Sequence, residues 1–179
     1  GVVDLDGDSQ PTGTVSLALA YGTLVVNTST GEYAYTKDVA AVEALAVTET
    51  DADVFTITVS DGTGALVTNT LTVTVSGAND APVATVAVDT ATEDGAVITG
   101  SVSSSDVDVL NTTASYALDA AVAGLTMAAD GSYSFNPGNA AYQYLAAGET
   151  LDVVADFTVT DDQGATHGST LTFTVTGTN

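Results

Sequence analysis

The chain has no cysteine, no tryptophan and, among 179 residues, a single Lys or Arg, Lys37. Each absence narrows what the protein does. Without cysteine there is no disulfide framework and no thiolate metal site. A secreted protein built this way needs another staple, and bound metal is one. Against that single base stand 23 acidic residues, for a formal net charge of −22. Nucleic acid and anionic membranes both require Lys or Arg on the protein, so neither is a suitable partner. Self-repulsion opposes compaction unless it is screened or neutralised, which makes cations the natural partner. The alternative is a halophilic or merely very soluble surface. No apolar run approaches the ~18 residues of a bilayer-spanning helix, so no membrane insertion is expected. The opening GVVDLDGD does not have the pattern of a signal peptide and is expected to be the interior of a longer protein.

Thr, Val, Ala, Ser, Gly and Asp dominate what is there. Thr and Val are β-branched and favour strands, while Gly, Asp, Asn and Ser supply turns. The sequence also repeats itself at a spacing of 100 residues: GEYAY (31–35) matches GSYSF (131–135), and VFTITVSDGTGALVTNTLTVTVSGAN (54–79) matches VADFTVTDDQGATHGSTLTFTVTGTN (154–179). Two modules are therefore expected, at 1–80 and 81–179. TEDGAVITGSVSSSDVD (92–108) opens the second module, and its first part has no counterpart in the first. Copy one is thus expected to lack an opening strand, either because the sequence begins within a repeat or because a neighbouring chain supplies that strand.

Within each module LTVTVS, LTFTVT, FTITVS and FTVTD alternate apolar with polar residues, the pattern of a half-buried antiparallel strand. Turn signals such as SDGTG, DDQG and NPGN separate them. Short strands so spaced predict an all-β fold of two tandem β-sandwiches. Tyr33, Tyr35, Tyr133 and Phe135 alternate on one face and are read as packing residues, with a carbohydrate platform as the alternative. The Ala-rich stretches 37–47 and 138–149 carry apolar residues three and four apart, and each predicts a short helical turn.

Acids gather where strands end: Asp4, Asp6 and Asp8; Asp61 and its counterparts Asp161 and Asp162; Asn79 and Asp80; Glu93 and Asp94; Asp106 and Asp108. Ca²⁺ takes six to eight oxygen ligands, and these residues supply oxygen. The loops of a sandwich collect at two poles, so acids of neighbouring modules are expected to meet. DLDGD is not an EF-hand, because Gly7 stands fourth rather than sixth and Val15 replaces the bidentate Glu. His167, the only histidine, is expected in an exposed turn. Val67 is its counterpart, so the module does not need an imidazole. Lacking Cys and having one His, the chain is read as a non-enzyme.

VTVSGANDAP (73–82) resembles the linker of cadherin repeats, with Gly77 in place of the first Asp. ETDADVFTITVSDG (49–62) is similar to the cadherin Glu followed by an aromatic strand ending in Asp, and Asp106 and Asp108 resemble the Asp-x-Asp of the following repeat. The module is closer still to the bacterial VCBS repeat, through TEDG, DVD, YGTL, GEYAY, LAAGET, FTVTDDQG and GANDAP. The resemblance implies immunoglobulin-like or cadherin-like antiparallel β-sandwiches in an end-to-end array. It implies extender modules of large secreted bacterial adhesins at the cell surface, with neighbouring repeats as partners. It implies Ca²⁺ at the joint, held by Glu49, Asp61, Asn79, Asp80, Asp106 and Asp108. Glu149, Asp161, Asp162 and Asn179 would form half of a next site and Asp4 and Asp6 half of a preceding one, while Glu93 and Asp94 match the family motif. The alternatives are a filament subunit assembled by strand donation and a module that binds glycan or ice through Thr56, Thr58, Thr70, Thr72 and Thr74.

Overall fold

The structure is a computed structural model that describes residues 2–5, 13–110 and 114–179. The chain divides into two compact units, Gly1–Ala78 and Asn79–Asn179. Among the described residues both are all-β, apart from one helical turn in the first. The first contains β1 (Val2–Leu5), β2 (Thr14–Ala18), β3 (Gly22–Asn27), β4 (Tyr33–Lys37), α1 (Val39–Glu43), β5 (Thr50–Ser60) and β6 (Leu66–Ser76). The second contains β7 (Val83–Ala84), β8 (Ala87–Thr92), β9 (Ile98–Ser101), β10 (Ser104–Ser105), β11 (Ser115–Leu118), β12 (Leu125–Met127), β13 (Ser132–Phe135), β14 (Thr150–Thr160) and β15 (Thr166–Thr176). No helix among the described residues is long and apolar enough to cross a membrane.

Each unit is organised around one long antiparallel hairpin, β5–β6 in the first and β14–β15 in the second. Their turns carry SDGTG and DDQG, where Gly64 and Gly164 adopt positive φ at little cost. The alternation read from the sequence is the alternation of burial. Along β15 Leu171, Phe173 and Val175 are buried, while the Thr residues between them face outward and are only partly covered. Val153, Ala155, Phe157 and Val159 of the neighbouring β14 continue the same inward face, and Tyr133 and Phe135 of β13 meet it from the opposite sheet. Phe135 stacks on Phe173 with ring centroids 4.1 Å apart, and Tyr133 meets Phe173 edge-on at 5.5 Å. Such aromatic pairs add to the stabilisation that burial gives.

Among the described residues the strand pairing departs from an all-antiparallel sandwich in one place. β8 runs parallel to β15, from Ala87 opposite Leu171 to Thr92 opposite Thr176. Parallel partners cannot be joined by a hairpin, and here the body of the second unit lies between them in sequence. β9 completes the opposite sheet by pairing antiparallel with β13.

The first unit is thinner. Its sheets run β1-β5-β6 and β2-β3-β4, and its buried cluster is Val15, Leu24, Val26 and Phe55. Leu71 and Val73, counterparts of Leu171 and Phe173, are only partly buried. Of the two expected helical turns, the first is α1, capped by the Asp38 carboxylate, which accepts from the Ala41 N–H at 3.2 Å. The second is a succession of tight turns, in which Asn139, Tyr142 and Leu145 each donate to the carbonyl three residues earlier. Pro137 and Gly138 open that stretch, and both disfavour a continuous helix.

Candidate functional site

A polar chain of contacts gathers at one pole of the second unit. The Asn79 side-chain amide donates to Asp161 Oδ2 at 2.8 Å and to the Asp80 carbonyl at 2.9 Å. The Asp80 N–H donates to Asp108 Oδ2 at 3.0 Å, and the Asp108 N–H donates to Asp106 Oδ1 at 3.1 Å. Three carboxylates, of Asp106, Asp108 and Asp161, are thus linked through the Asn79 amide and the Asp80 backbone. Asp161 is anchored further by the backbone N–H groups of Gln163 and Ala165, both at 2.9 Å. The Asn79 amide, helped by those N–H groups, holds the Asp161 carboxyl below the usual carboxylate range, although burial opposes this.

Asp108 is 3% exposed, and its Oδ1 is buried with no hydrogen-bond partner. A buried carboxylate oxygen without a partner is costly. Among the described residues no ion pair reaches it, and Lys37, the one Lys or Arg, is paired with Glu43 at 3.7 Å. The donor set here is oxygen throughout, apart from the amide nitrogen, which suits a hard cation such as Ca²⁺. Among the described residues, however, no three Asp, Glu or His side chains already converge as a metal-holding group.

The other pole of the second unit carries Glu93 and Glu149. Glu93 is 1% exposed, its Oε2 accepts the Thr178 N–H at 2.9 Å, and its Oε1 is buried without a partner. Asp94 follows at φ 56°, in the left-handed region, and accepts from the Gln143 amide at 2.9 Å. Glu149 Oε2 accepts the Ala146 N–H at 3.0 Å, and Glu49 Oε2 accepts the Ala46 N–H at 2.9 Å, so both copies close the same turn in the same way.

The acids therefore regroup. Asp161 is bonded to Asn79 and belongs with Asn79, Asp80, Asp106 and Asp108 of its own unit, not with Glu149. Glu149 and Asp161 flank β14, whose 11 residues at about 3.3 Å each hold its ends roughly 36 Å apart. Glu49 and Asp61 flank the equally long β5 and likewise cannot share one ion. Asp61 is exposed and accepts from the Thr63 N–H and hydroxyl, both at 2.7 Å, which lower its pKa. Asp162 is exposed, and Asp4 is half-buried on β1. Asp6 and Asp8 lie outside the described residues.

Gly77, where the cadherin linker carries Asp, has a steric reason. A Cβ there would approach the Leu45 carbonyl oxygen to 2.0 Å and that of Ala46 to 2.3 Å. Gly177 is pressed in the same way on the Ala146 carbonyl, at 2.4 Å. Neither position admits a carboxylate. His167 lies on β15 rather than in the turn, exposed, with Nδ1 accepting the Ala84 N–H at 3.2 Å. The candidate aromatic platform divides: Tyr133 and Phe135 are buried, Tyr35 is half-buried and Tyr33 is 61% exposed. Sequence reasoning missed Asp53, buried at 2% exposure, which accepts the Tyr35 hydroxyl at 2.7 Å and the Tyr21 N–H at 3.2 Å. The signal was an acid standing where the second copy has Val153.

A model of the bacterial cadherin-like domain matches residues 79–177. Among solved structures, extracellular cadherin domains 1–4 of protocadherin gamma B7 are similar at a TM-score of 0.53 and 14% identity, covering 93% of this chain and 42% of that one. Domains EC22–24 of mouse cadherin-23 are similar at a TM-score of 0.52 and 16% identity, covering 97% of this chain and 56% of that one. This chain thus spans about half the length of each, and at such identity the likeness is one of fold. No curated protein sequence matches the chain.

Proposed function

The chain belongs to the bacterial cadherin-like domain family, and we propose that its two modules are extenders in the extracellular part of a bacterial adhesin or surface protein, stiffened by Ca²⁺ at their acidic poles. Cadherin-like domains are typically extracellular, are typical of adhesion proteins and are generally non-catalytic. The finer kinship to VCBS repeats rests on the motif series TEDG, DVD, LAAGET and GANDAP. The observation that carries the cation reading is Asp108: a buried carboxylate with one unpartnered oxygen, linked to two further carboxylates, Asp106 directly and Asp161 through the Asp80 backbone and the Asn79 amide.

In this reading Asn79, Asp80, Asp106, Asp108 and Asp161 hold a cation at one pole of the second module. Glu93 and Glu149 belong to its other pole, and Glu49 to the corresponding pole of the first. The cation supplies the positive charge that the sequence lacks. The protein's own part is to preassemble the ligands: the Asn79 amide fixes Asp161, the Asp80 backbone fixes Asp108, and Asp108 fixes Asp106. Neutralising clustered acids relieves their repulsion, and linking a module to its neighbour in an array through the same ion would stiffen the extender. Extracellular modules bind Ca²⁺ at about 0.1–1 mM, and ligand at ~100 times its dissociation constant adds about 2.7 kcal/mol per independent site.

The test is calorimetric. Titration with Ca²⁺ is expected to show saturable binding and a rise in melting temperature that chelator reverses. Identical melts in millimolar Ca²⁺ and in chelator would overturn the cation reading.

A further inference from the structure

The turn between β3 and β4 is not built like its counterpart in the second unit. Val26 pairs with Tyr33, and Met127 pairs with Tyr133. Between those pairs stand NTSTGE (27–32) in the first copy and AADGS (128–132) in the second. The first copy thus carries one more residue there, and with it the triplet Asn27-Thr28-Ser29. Asn-x-Ser/Thr, with x other than Pro, is the acceptor triplet for glycosylation of the asparagine nitrogen.

The geometry adds to the triplet. Asn27 Oδ1 accepts the Ser29 N–H at 2.9 Å and the Thr30 N–H at 3.1 Å. The side chain is therefore pinned, through its oxygen, to the residue that carries the hydroxyl. Bonds accepted by Oδ1 polarise the amide and make the Nδ2 hydrogens more acidic, while Nδ2 itself takes no part in them. Thr28 is buried, and its N–H and hydroxyl both donate to the Gly13 carbonyl, at 2.8 and 2.9 Å. That anchors the turn to the body of the unit. Ser29, Thr30 and Gly31 are exposed and Asn27 is half-buried. Turn-making alone does not explain the asparagine. Asp61, Asp130 and Asp161 make the same bond to the N–H two residues on. Asn136 and Asn139 make it too, to Gly138 and Ala141, which have no hydroxyl. In the second copy Ala128 stands in the place of Asn27.

We propose that Asn27 is a site of N-linked glycosylation, taking its sugar from a glycosyl diphosphate donor. Asn27 Nδ2 attacks the anomeric carbon of the sugar and a C–N bond forms. The bond from that carbon to the diphosphate oxygen breaks, and the diphosphate leaves with the electron pair. A base of the transferase takes the proton from Nδ2, and nothing is oxidised or reduced. Oδ1 keeps both of its turn bonds after transfer, so the fold tolerates the sugar. The product is a bulky, hydrated group on one exposed turn of the first unit, with no equivalent at the matching turn of the second. None of the acids assigned to the cation takes part, so the inference stands apart from the Ca²⁺ reading.

The test is glycopeptide mapping by mass spectrometry of the protein recovered from the cells that make it, with surface and internal fractions kept apart. Electron-transfer fragmentation of the peptide spanning 22–33 is expected to place hexose or N-acetylhexosamine on Asn27. Ser29→Ala keeps the N–H that Asn27 accepts and removes the hydroxyl. It is expected to abolish the modification while leaving the melting temperature of the unglycosylated chain unchanged. Asn27→Asp keeps the turn acceptor, removes the nitrogen and is expected to do the same. A second triplet, Asn111-Thr112-Thr113, lies outside the described residues, and Asn111→Gln removes it from every variant. Asn27 found unmodified would overturn the inference, and its presence unmodified in the surface fraction would do so while leaving the extender reading intact. A sugar on Ser29 or Thr30 instead, or a sugar on Asn27 that persists in Ser29→Ala, would also overturn it.

Discussion

Asn79 donates its side-chain amide to the carboxylate of Asp161 at 2.8 Å, across a sequence separation of 82 residues. The bond ties the first residue of the second unit to the end of its long strand β14. It also makes one acid of the polar pole dependent on a neutral neighbour, and that dependence can be measured.

Replacing Asn79 with Ala should raise the Asp161 pKa toward the ordinary carboxylate value and cost about 1.5–3 kcal/mol, as expected for a hydrogen bond to a charged group. The sign in pH follows from the lowered folded-state value. This stabilisation is present above the unfolded pKa near 3.9 and is lost as pH falls through the folded one. The Asn79→Ala variant should therefore lose less stability than the parent on acidification below pH 4. Chemical denaturation at pH 7 and at pH 3, with carboxyl NMR titration of Asp161, checks both points.

Asp108→Asn separates the cost of the buried charge from the benefit of a cation. The isosteric amide keeps an oxygen to accept the Asp80 N–H and removes a charge that no ion pair among the described residues neutralises. In chelator the variant is expected to melt at or above the parent temperature. In saturating Ca²⁺ it should forfeit most of the parent's gain, about 2.7 kcal/mol at ~100 times the dissociation constant. Thermal melts in the two conditions give the comparison, and equal Ca²⁺ responses would remove Asp108 from the cation site.

The first unit has an alkaline signature of its own. Burial, with the hydrogen bond to Asp53, pushes the Tyr35 pKa up to about 12 from an ordinary value of 10.0. The contribution is complete below pH 10 and declines as pH rises through 12. Tyr35→Phe should flatten that decline, while leaving Asp53 with only the Tyr21 N–H, at 3.2 Å to each oxygen, at a cost of about 1–3 kcal/mol. Adding Asp53→Val, which recreates the Phe135 and Val153 pair of the second unit, should recover much of that loss. A double-mutant cycle by urea unfolding at pH 8 and pH 11 reads it out.

Equivalent core positions should not cost the same in the two copies. Phe173→Ala removes a fully buried ring stacked on Phe135 and should destabilise the second unit by about 3–5 kcal/mol. Val73→Ala removes two carbons from a half-buried site, worth about 1 kcal/mol. Hydrogen exchange resolved by unit measures the two losses separately.

The sequence by itself determined the repeat, the β class and the apolar alternation of the long strands. All of these follow from local alternation, from turn chemistry and from the 100-residue spacing of GEYAY and GSYSF. It also marked the acids as lying at strand ends. Which ends meet was decided only by the tertiary structure, because an 11-residue strand carries its two flanking acids to opposite poles. Glu149 and Asp161 look like neighbours in the sequence and are separated in space, while Asn79 and Asp161 are 82 residues apart and bonded. The parallel pairing of β8 with β15, the steric demand on Gly77 and the burial of Asp53 have the same origin. Each depends on which backbone or side chain arrives from a distant segment, and no local period in the sequence encodes that arrival.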